Sequence, residues 1–210
     1  MYIIDKFDLG ASYISTHENI LTPDLESKVL DHLGSIPDWY GGDYDGRQIC
    51  RTQRWYHQKG EYFNDDWPIY ERWKSHEYSD ILLEVKSYLD SFTDLILSKK
   101  EVSKDKVFNS LLINRYLNGQ NLIPKHRDSE KIFGDNPVIS VLSLNSERTM
   151  RFTRVDPRSP SLKRVGNQFD IVLKPNSLLI MAGTTQKYYC HEILRSDTKL
   201  ERYSLTYRYK

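Results

Sequence analysis

The sequence SLLINRYLNGQNLIPKHRDSE, residues 110 to 130, begins with a run that has the period of two typical of a β-strand. By that alternation Asn114 and Tyr116 point to the same side of the strand. A buried amide and a buried hydroxyl both need hydrogen-bond partners, so this side is expected to face a polar cavity. The stretch ends with His126 and Asp128, whose spacing puts an imidazole and a carboxylate on one side of an extended segment.

His126 is the only one of the six histidines that begins an H-x-D triplet. A second histidine from a distant strand would complete a set of two histidines and one carboxylate, which is typical of non-haem Fe(II) oxygenases. His191, which follows the apolar run at residues 177–182, is the expected third ligand. The alternative for His191 is a hydrogen-bonded core histidine, and an H-x-D triplet is by itself a weak signal.

The last predicted strand, RYSLTYRY at residues 202–209, carries two arginines on one face. Arg202, Ser204 and Arg208 alternate with tyrosines and a leucine, so they share one side of the strand. Two arginines opposite an apolar face are expected to line a cavity that holds an anion. Because this strand spans roughly 20 Å, the two guanidinium groups would meet opposite ends of a dicarboxylate.

The second half of the chain is dominated by β-type patterns and the first half by helical ones. Short runs with strand character, separated by Gly, Pro, Asn and Asp, occur at residues 110–117, 138–144, 150–155, 169–174, 177–182 and 202–209. Helical periodicity occurs at residues 22–34, from Thr22-Pro23 to Gly34, and at residues 81–96. Residues 41–75 are expected to form loops with short strands. The predicted class is α+β, an antiparallel β core with helices packed on its outside.

The composition is that of one globular domain. The 210 residues are 39% hydrophobic and 28% charged, which excludes the disordered and fibrous classes. With 30 basic and 29 acidic residues the net charge is +1, which excludes a polycationic coat for nucleic acid. Cys50 and Cys190 are too few for a disulfide framework and favour a reducing compartment.

The start of the sequence lacks the pattern of a secretory signal. No basic start precedes a long apolar run, and the longest apolar stretch anywhere is residues 178–182. We therefore expect an intracellular protein, nuclear or cytoplasmic, that is not secreted and has no membrane partner. A monomer is expected.

Taken in order, these motifs resemble the AlkB family of Fe(II)- and 2-oxoglutarate-dependent dioxygenases, most closely the branch that repairs alkylated DNA bases. The resemblance rests on NRYLNGQNLIPKHRDSE at 114–130, PVISVLS at 137–143, SLLIM at 177–181, His191, and RYSLTYR at 202–208. It is looser from Arg51 onward and absent over residues 1–45. It implies a single domain, residues 1–210, with a double-stranded β-helix (jelly-roll) core at 110–210. Residues 1–109 would be an N-terminal helical extension with a nucleotide-recognition lid.

The resemblance also assigns ligands for iron and for the co-substrate. The iron ligands would be His126, Asp128 and His191. Asn114, Tyr116 and Arg202 fall where the family holds the distal carboxylate of 2-oxoglutarate, and Arg208 where it holds the carboxylate lost as carbon dioxide. The family usually has Asn where this chain has Ser204. Because serine is shorter and donates one hydrogen bond, we expect a looser or water-mediated grip on the co-substrate at that position.

Five residues are candidates for contact with the target base. Glu130 matches an acidic position that in the family touches the exocyclic amino group of the base, which a carboxylate can accept; the alternative is a solvated charge. Arg51 and Gln53 resemble the start of the nucleotide-recognition lid. Tyr62 or Phe63 is expected to stack on a flipped base.

A basic hairpin is the expected contact with the nucleic-acid backbone. Residues 147–164 hold six basic and two acidic residues, a local charge of +4 in a nearly neutral chain. Arg148, Arg151 and Arg154 on this hairpin would suit phosphates. The alternative is a solvated hairpin with scattered charge.

The implied activity is oxidative demethylation of N-alkylated bases, of the 1-methyladenine and 3-methylcytosine type, in DNA or RNA. It would use Fe(II), 2-oxoglutarate and O2, and release formaldehyde, succinate and CO2. One alternative is a 2-oxoglutarate dioxygenase acting on a protein or a small molecule. A second is an inactive binding module built on the same barrel.

Overall fold

A computed structural model describes residues 2–7, 10–44, 47–63, 73–99 and 107–210, without the side chains of residues 2–10 and 42–49. Residues 45–46 and 64–72 of the predicted loop segment 41–75 lie outside the described residues. The helices in the described part are α1 (Pro23–Ser35), α2 (Asp80–Ser98), α3 (Glu130–Phe133) and α4 (Thr185–Tyr188). The strands are β1 (Tyr2–Phe7), β2 (Gly10–Glu18), β3 (Tyr40–Tyr44), β4 (Arg47–His57), β5 (Ser110–Tyr116), β6 (Ile123–His126), β7 (Ile139–Leu144), β8 (Arg148–Val155), β9 (Arg164–Leu173), β10 (Ser177–Gly183), β11 (Tyr189–Ile193) and β12 (Arg202–Arg208).

The strands form two antiparallel sheets that pack face to face. The larger sheet has eight strands in the order β1-β2-β10-β7-β12-β5-β4-β3, and the smaller has four in the order β6-β11-β8-β9. Apolar side chains from both sheets form one buried cluster, with Val141 and Leu179 from the larger sheet and Phe152 and Ile193 from the smaller. The core of the fold therefore lies between the sheets, with open space at one end where polar residues replace apolar ones.

The two long helices cover the other face of the larger sheet. Val29 and Leu33 of α1 and Leu89 of α2 are fully buried against it. Thr22 caps α1 through its side-chain oxygen, which accepts from the backbone N–H of Leu25 at 3.3 Å. The expectation that helices pack on the outside of the β core is confirmed. Gly34, predicted as the end of the first helix, lies inside α1.

The six strands predicted in the second half are all present, but β6 and β11 of that half were not predicted. The strands of the first half were also under-predicted. Segment β9 begins at Arg164, earlier than expected, and β4 runs for 11 residues through the segment expected to be mainly loop. Because β4 turns polar side chains such as Gln53 inward, it lacks the apolar alternation that marks a half-buried strand. The predicted boundary between an N-terminal extension and the catalytic core, at residue 109, stays a prediction. Strands from both sides of it pair in the larger sheet: β2 with β10, and β4 with β5.

No helix in the described part of the chain combines the length and the apolar character needed to cross a membrane.

Gly119 gives a test of close packing between two loops at the end of β5. A Cβ at this position would overlap the carbonyl oxygen of Ser196, and the backbone of Gly119 is held there by Thr198 O at 2.8 Å and Ser196 N at 2.9 Å. We expect Gly119→Ala to lower the free energy of unfolding by about 1–3 kcal/mol. Gly34→Ala is the control, because no heavy atom lies within 4 Å of its Cβ, and alanine in a helix gains about 0.5–1 kcal/mol. Urea denaturation measures both; equal midpoints for the two variants would contradict the packing argument.

Candidate metal centre

Strands β6 and β11 of the smaller sheet bring two histidines together. The strands are antiparallel, and His126 is the register partner of His191, so the two rings lie 4.3 Å apart between centroids. Asp128 follows β6 by two residues and is 8% exposed. One ligand atom from each of these three residues lies within 4.8 Å of the others. The structure thus assembles the three residues that the sequence predicted as metal ligands.

Hydrogen bonding and burial leave both imidazoles suited to bind a cation. His126 Nδ1 lies 2.9 Å from the Pro124 carbonyl oxygen, which can only accept, so Nδ1 carries the hydrogen and the lone pair of Nε2 is available. Burial lowers the pKa of His126. Burial, and then the neighbouring His126, lower the pKa of His191 to about 3. Both rings are therefore neutral at pH 7, the form that binds a metal ion.

Asp128 supplies the negative charge of the centre. Burial acts to raise its pKa, but the Arg208 guanidinium, followed by the two histidines, holds the pKa below its ordinary value. Arg208 donates from Nε to Oδ2 at 2.9 Å, and its Nη2 also lies 2.9 Å from Oδ2. The other oxygen, Oδ1, lies 3.9 Å from His126 Nε2. Two neutral nitrogens and one anionic oxygen therefore converge on one point.

Arg202 lies behind the cavity wall, against the ring of Tyr116, which lines the cavity. It is 0% exposed, and its Nη2 donates to Ser143 Oγ at 2.8 Å. Its guanidinium carbon lies 5.1 Å from the centroid of the Tyr116 ring. Among the described residues, its Nε and Nη1 have no hydrogen-bond partner although they are buried, and no described carboxylate lies within 4 Å of it. Because an isolated buried cation is unfavourable, this geometry fits a site for an anion.

A cavity of about 120 Å³ lies between the sheets and contains the metal ligands. Its wall includes the predicted co-substrate residues Asn114, Tyr116, Ser204 and Arg208. Ser204 is the register partner of Asn114 on β5 and of Ser143 on β7. The alternation predicted for the last strand is confirmed, since Tyr203 and Leu205 lie on the other face, in the core against the helices.

The sequence pattern of the 2OG-Fe(II) oxygenase superfamily matches residues 14–208. The chain belongs to this superfamily. The oxygenase uses Fe(II), 2-oxoglutarate and O2. The side chains of the site fit both Fe(II) and 2-oxoglutarate. The two neutral imidazoles and the carboxylate provide the ligand set for Fe(II). The uncompensated guanidinium of Arg202 suits a carboxylate of 2-oxoglutarate.

Curated relatives of the oxygenase are AlkB homologues, so the predicted resemblance is confirmed. The human alpha-ketoglutarate-dependent dioxygenase alkB homolog 3 is 28% identical over 203 residues, 91% of this chain and 69% of that protein. The DNA oxidative demethylase ALKBH2 of Arabidopsis thaliana is 28% identical over 157 residues, 67% of this chain. The chain spans 48% of that relative's length.

Two solved structures share the fold of the oxygenase. OsALKBH1 has a TM-score of 0.66 and 14% identity, covering 93% of this chain and 97% of that one. A Pseudomonas putida prolyl-4-hydroxylase has a TM-score of 0.55 and 17% identity, covering 94% of this chain and 92% of that one. The predicted double-stranded β-helix is therefore confirmed.

The residues predicted to contact a base divide into two groups. Arg51, Gln53 and Phe63 line the cavity together with the metal ligands. Tyr62 packs on the same apolar cluster as Phe63 but does not line the cavity. Glu130 lines a second pocket, whose wall also includes Asp128 and Lys187. Their roles in binding a base stay predictions.

The basic hairpin is only partly as predicted, and Arg148 requires a correction. Arg148 is 2% exposed, and its guanidinium donates to the backbone carbonyl oxygens of Asn118, Gly119, Asn121 and Leu194. Both terminal nitrogens of its guanidinium are used inside the fold, so it does not project toward a phosphate. Arg151 is at the surface and pairs with both oxygens of Asp170, at 2.7 and 2.8 Å. Arg154 is half-buried.

Sequence reasoning missed three side chains of the site. Ser143 was not expected to hold Arg202. Trp73 stacks on Phe63 in the cavity wall, with centroids 4.6 Å apart. Phe133 of α3 lies 4.8 Å below the Arg208 guanidinium. Neither Trp73 nor Phe133 belongs to a regular sequence pattern, so only the folded structure shows that they lie at the site. For Phe133 the one local signal is its position five residues after Asp128.

Loss of one ligand tests the metal centre. We expect His126→Ala and Asp128→Ala each to weaken Mn(II) binding by more than about 100-fold, since changes to residues around the ligands already cost 10–100-fold. Isothermal titration calorimetry with Mn(II), a redox-stable substitute for Fe(II), measures this, and succinate formation should be lost in parallel. Glu192→Gln is the control, because this carboxylate adjoins His191 but lies outside the set of converging ligand atoms. Metal affinity that survives in both alanine variants would mean that the centre lies elsewhere.

Proposed function

We propose that this oxygenase removes N-linked methyl groups from nucleic-acid bases, of the 1-methyladenine and 3-methylcytosine type, with release of formaldehyde, succinate and CO2. The observation that carries the proposal is an aromatic wall in the same cavity as the metal ligands. Phe63 and Trp73 both line that cavity, and their rings are stacked at an interplanar angle of 27°. The names of the curated relatives, a DNA oxidative demethylase among them, support the same substrate class.

The aromatic wall suits a flat heterocycle. Trp55 meets the edge of the Phe63 ring at 5.0 Å, and Phe133 lies 5.8 Å from it, so Phe63 is held by neighbours on more than one side. Stacking on an aromatic ring is worth about 1–3 kcal/mol per base and tolerates any base, because every base has a π-face. This wall would compensate for the energy spent in unstacking the target base from its strand.

Gln53 supplies a polar contact inside the wall. It is 2% exposed, and its Oε1 is buried without a hydrogen-bond partner in the described part of the chain. An exocyclic amino group, which both adenine and cytosine carry, can donate to this oxygen. The contact would place the alkylated ring nitrogen, which adjoins the amino-bearing carbon, toward the metal ligands.

The co-substrate lies along the strands β5 and β12 in this proposal. Arg202, Tyr116 and Asn114 hold the distal carboxylate of 2-oxoglutarate, and Arg208 meets the carboxylate that is lost as CO2. Arg208 at the same time keeps Asp128 ionised and oriented, through the two contacts at 2.9 Å. When bound, iron with 2-oxoglutarate and O2 supplies the oxidation, while the protein supplies orientation and charge.

The phosphate contact falls on the outer part of the basic hairpin. Arg151 and Arg154 are the candidates of strand β8, because Arg148 is committed to backbone carbonyls. The stem of Arg154 lies against Gly166 of β9, where a side chain would displace it. Glu130 remains the predicted partner of an exocyclic amine at the edge of the site.

A turnover panel tests the substrate class. We expect methyl loss, seen by mass spectrometry, from oligonucleotides that contain 1-methyladenine or 3-methylcytosine, and none from unmodified ones. DNA and RNA, each single- and double-stranded, are compared in the same assay with succinate as the second product. Succinate formation without loss of the methyl group from any oligonucleotide would instead favour a protein or small-molecule substrate.

Charge removal tests the phosphate contact. We expect Arg151→Ala combined with Arg154→Ala to raise KM for oligonucleotides several-fold at unchanged kcat. The slope of log affinity against log salt should fall by about 0.7–0.9 for each phosphate that the variant no longer neutralises. Lys28→Ala removes a charge from the exposed face of α1 and should change neither quantity. A salt slope that stays at the wild-type value in the double variant would remove the hairpin from the interface.

A further inference from the structure

Arg51 and Asn114 connect two neighbouring strands in the wall of the metal cavity. Arg51 lies on β4, the strand that leads to the aromatic wall, and Asn114 lies on the neighbouring β5. Arg51 Nε donates to Asn114 Oδ1 at 2.6 Å. Asn114 is 4% exposed, and both residues line the metal cavity. The contact is therefore a shielded, charge-assisted hydrogen bond, of the stronger kind in proteins.

The direction of this hydrogen bond fixes the amide of Asn114. A guanidinium group has only donors, so the amide must turn its oxygen toward Arg51 and its nitrogen away from it. The terminal torsion of an asparagine is broad and roughly two-fold, so the backbone does not by itself choose between the two orientations. Arg51 makes that choice.

The orientation decides what Asn114 can offer to 2-oxoglutarate. A carboxylate is only an acceptor, so it gains from Nδ2 and is repelled by Oδ1. Ser204, directly opposite Asn114 on β12, has a single hydroxyl at a position where the AlkB family usually has an amide. Asn114 is then the residue of this cross-strand pair that brings an amide to the co-substrate.

We propose that Arg51 is a positioning residue for the co-substrate, which orients the Asn114 amide so that its nitrogen donates to a carboxylate of 2-oxoglutarate. The proposal rests on the assignment of Asn114 to the co-substrate under the proposed function, and not on the nucleic-acid substrate. It gives Arg51 a role that is distinct from a direct contact with the base.

The test is a double-mutant cycle on 2-oxoglutarate binding, without nucleic acid. The Mn(II)-loaded full chain is titrated with 2-oxoglutarate by calorimetry in the wild type, Arg51→Met, Asn114→Ala and the double variant. Because a hydrogen bond to a charged group is at stake, we expect Arg51→Met to weaken binding by about 10–100-fold. In the Asn114→Ala background the same change should cost little more, since residues that act through one contact are not additive.

Each outcome of the cycle decides one assignment. An unchanged 2-oxoglutarate affinity in Arg51→Met overturns the inference. So does an equal loss in both backgrounds, because that would show Arg51 acting directly through its charge. An unchanged affinity in Asn114→Ala would instead refute the co-substrate assignment on which the inference rests. Turnover of methylated oligonucleotides is a separate measurement, so a failure of the nucleic-acid proposal remains distinguishable.

A second variant tests the amide without removing Arg51. Asn114→Asp keeps an acceptor for Arg51 Nε but replaces the nitrogen with an oxygen. We expect it to bind 2-oxoglutarate more weakly than Asn114→Ala does, because two carboxylates would face each other. Binding as tight as in the wild type would overturn the inference. Arg54→Met is the control on the same strand, since Arg54 donates to the Asp38 carbonyl oxygen at 2.6 Å and lies outside the cavity wall.

Discussion

The metal centre depends on the register between β6 and β11, which places His126 opposite His191. A slip of one residue would turn one imidazole to the other face of the smaller sheet. Strand β6 has only four residues, and its pairing with β11 is irregular after His191, so the ladder alone holds it weakly. Contacts beyond the ladder add to it: Lys125 Nζ donates to the Leu162 carbonyl oxygen at 3.0 Å, and the backbone N–H of Asp128 donates to Gln186 Oε1 at 2.9 Å.

Strand β12 shows how the fold accommodates a charged site. Its outer side chains, Tyr203, Leu205 and Tyr207, are buried in the core with the two long helices. Its inner side chains include Arg202 and Arg208, both buried at a cost in desolvation. The helices and the site lie on opposite faces of one sheet. Apolar packing on the outer face therefore offsets the free energy that desolvation of the arginines costs on the inner face. The N-terminal helices thus pack against the sheet that carries the site without lining its cavity.

Period-two alternation predicted which side chains of β5 and β12 face inward, whereas the roles of these side chains toward the co-substrate came from the family resemblance and stay predictions. Where the alternation failed, the cause is visible. The alternation placed Ser204 and Arg208 on the cavity side of β12 and Asn114 on that of β5. Arg202, predicted on the same face of β12, is buried against Tyr116 behind the cavity wall. Applied to β8, the alternation would also have put Arg148 on the buried side with Met150 and Phe152. Farther along β8, the buried positions change from even-numbered to odd-numbered residues. This change lies near the irregularity between Thr153 and Val155 in the pairing of β8 with β9. A bulge of this kind has no sequence signal, nor does the spatial meeting of Phe63 with Trp73.

Under the proposed function, the buried guanidinium of Arg202 would link the stability of the folded state to metabolism. A ligand that binds only the native chain stabilises it by RT ln(1 + [L]/Kd), about 2.7 kcal/mol when the ligand is at one hundred times its Kd. No described carboxylate neutralises Arg202, so under the proposed function 2-oxoglutarate would take the place of an internal counter-ion. Cells depleted of this metabolite would then hold less of the folded enzyme, since the unfolded fraction is what proteases remove.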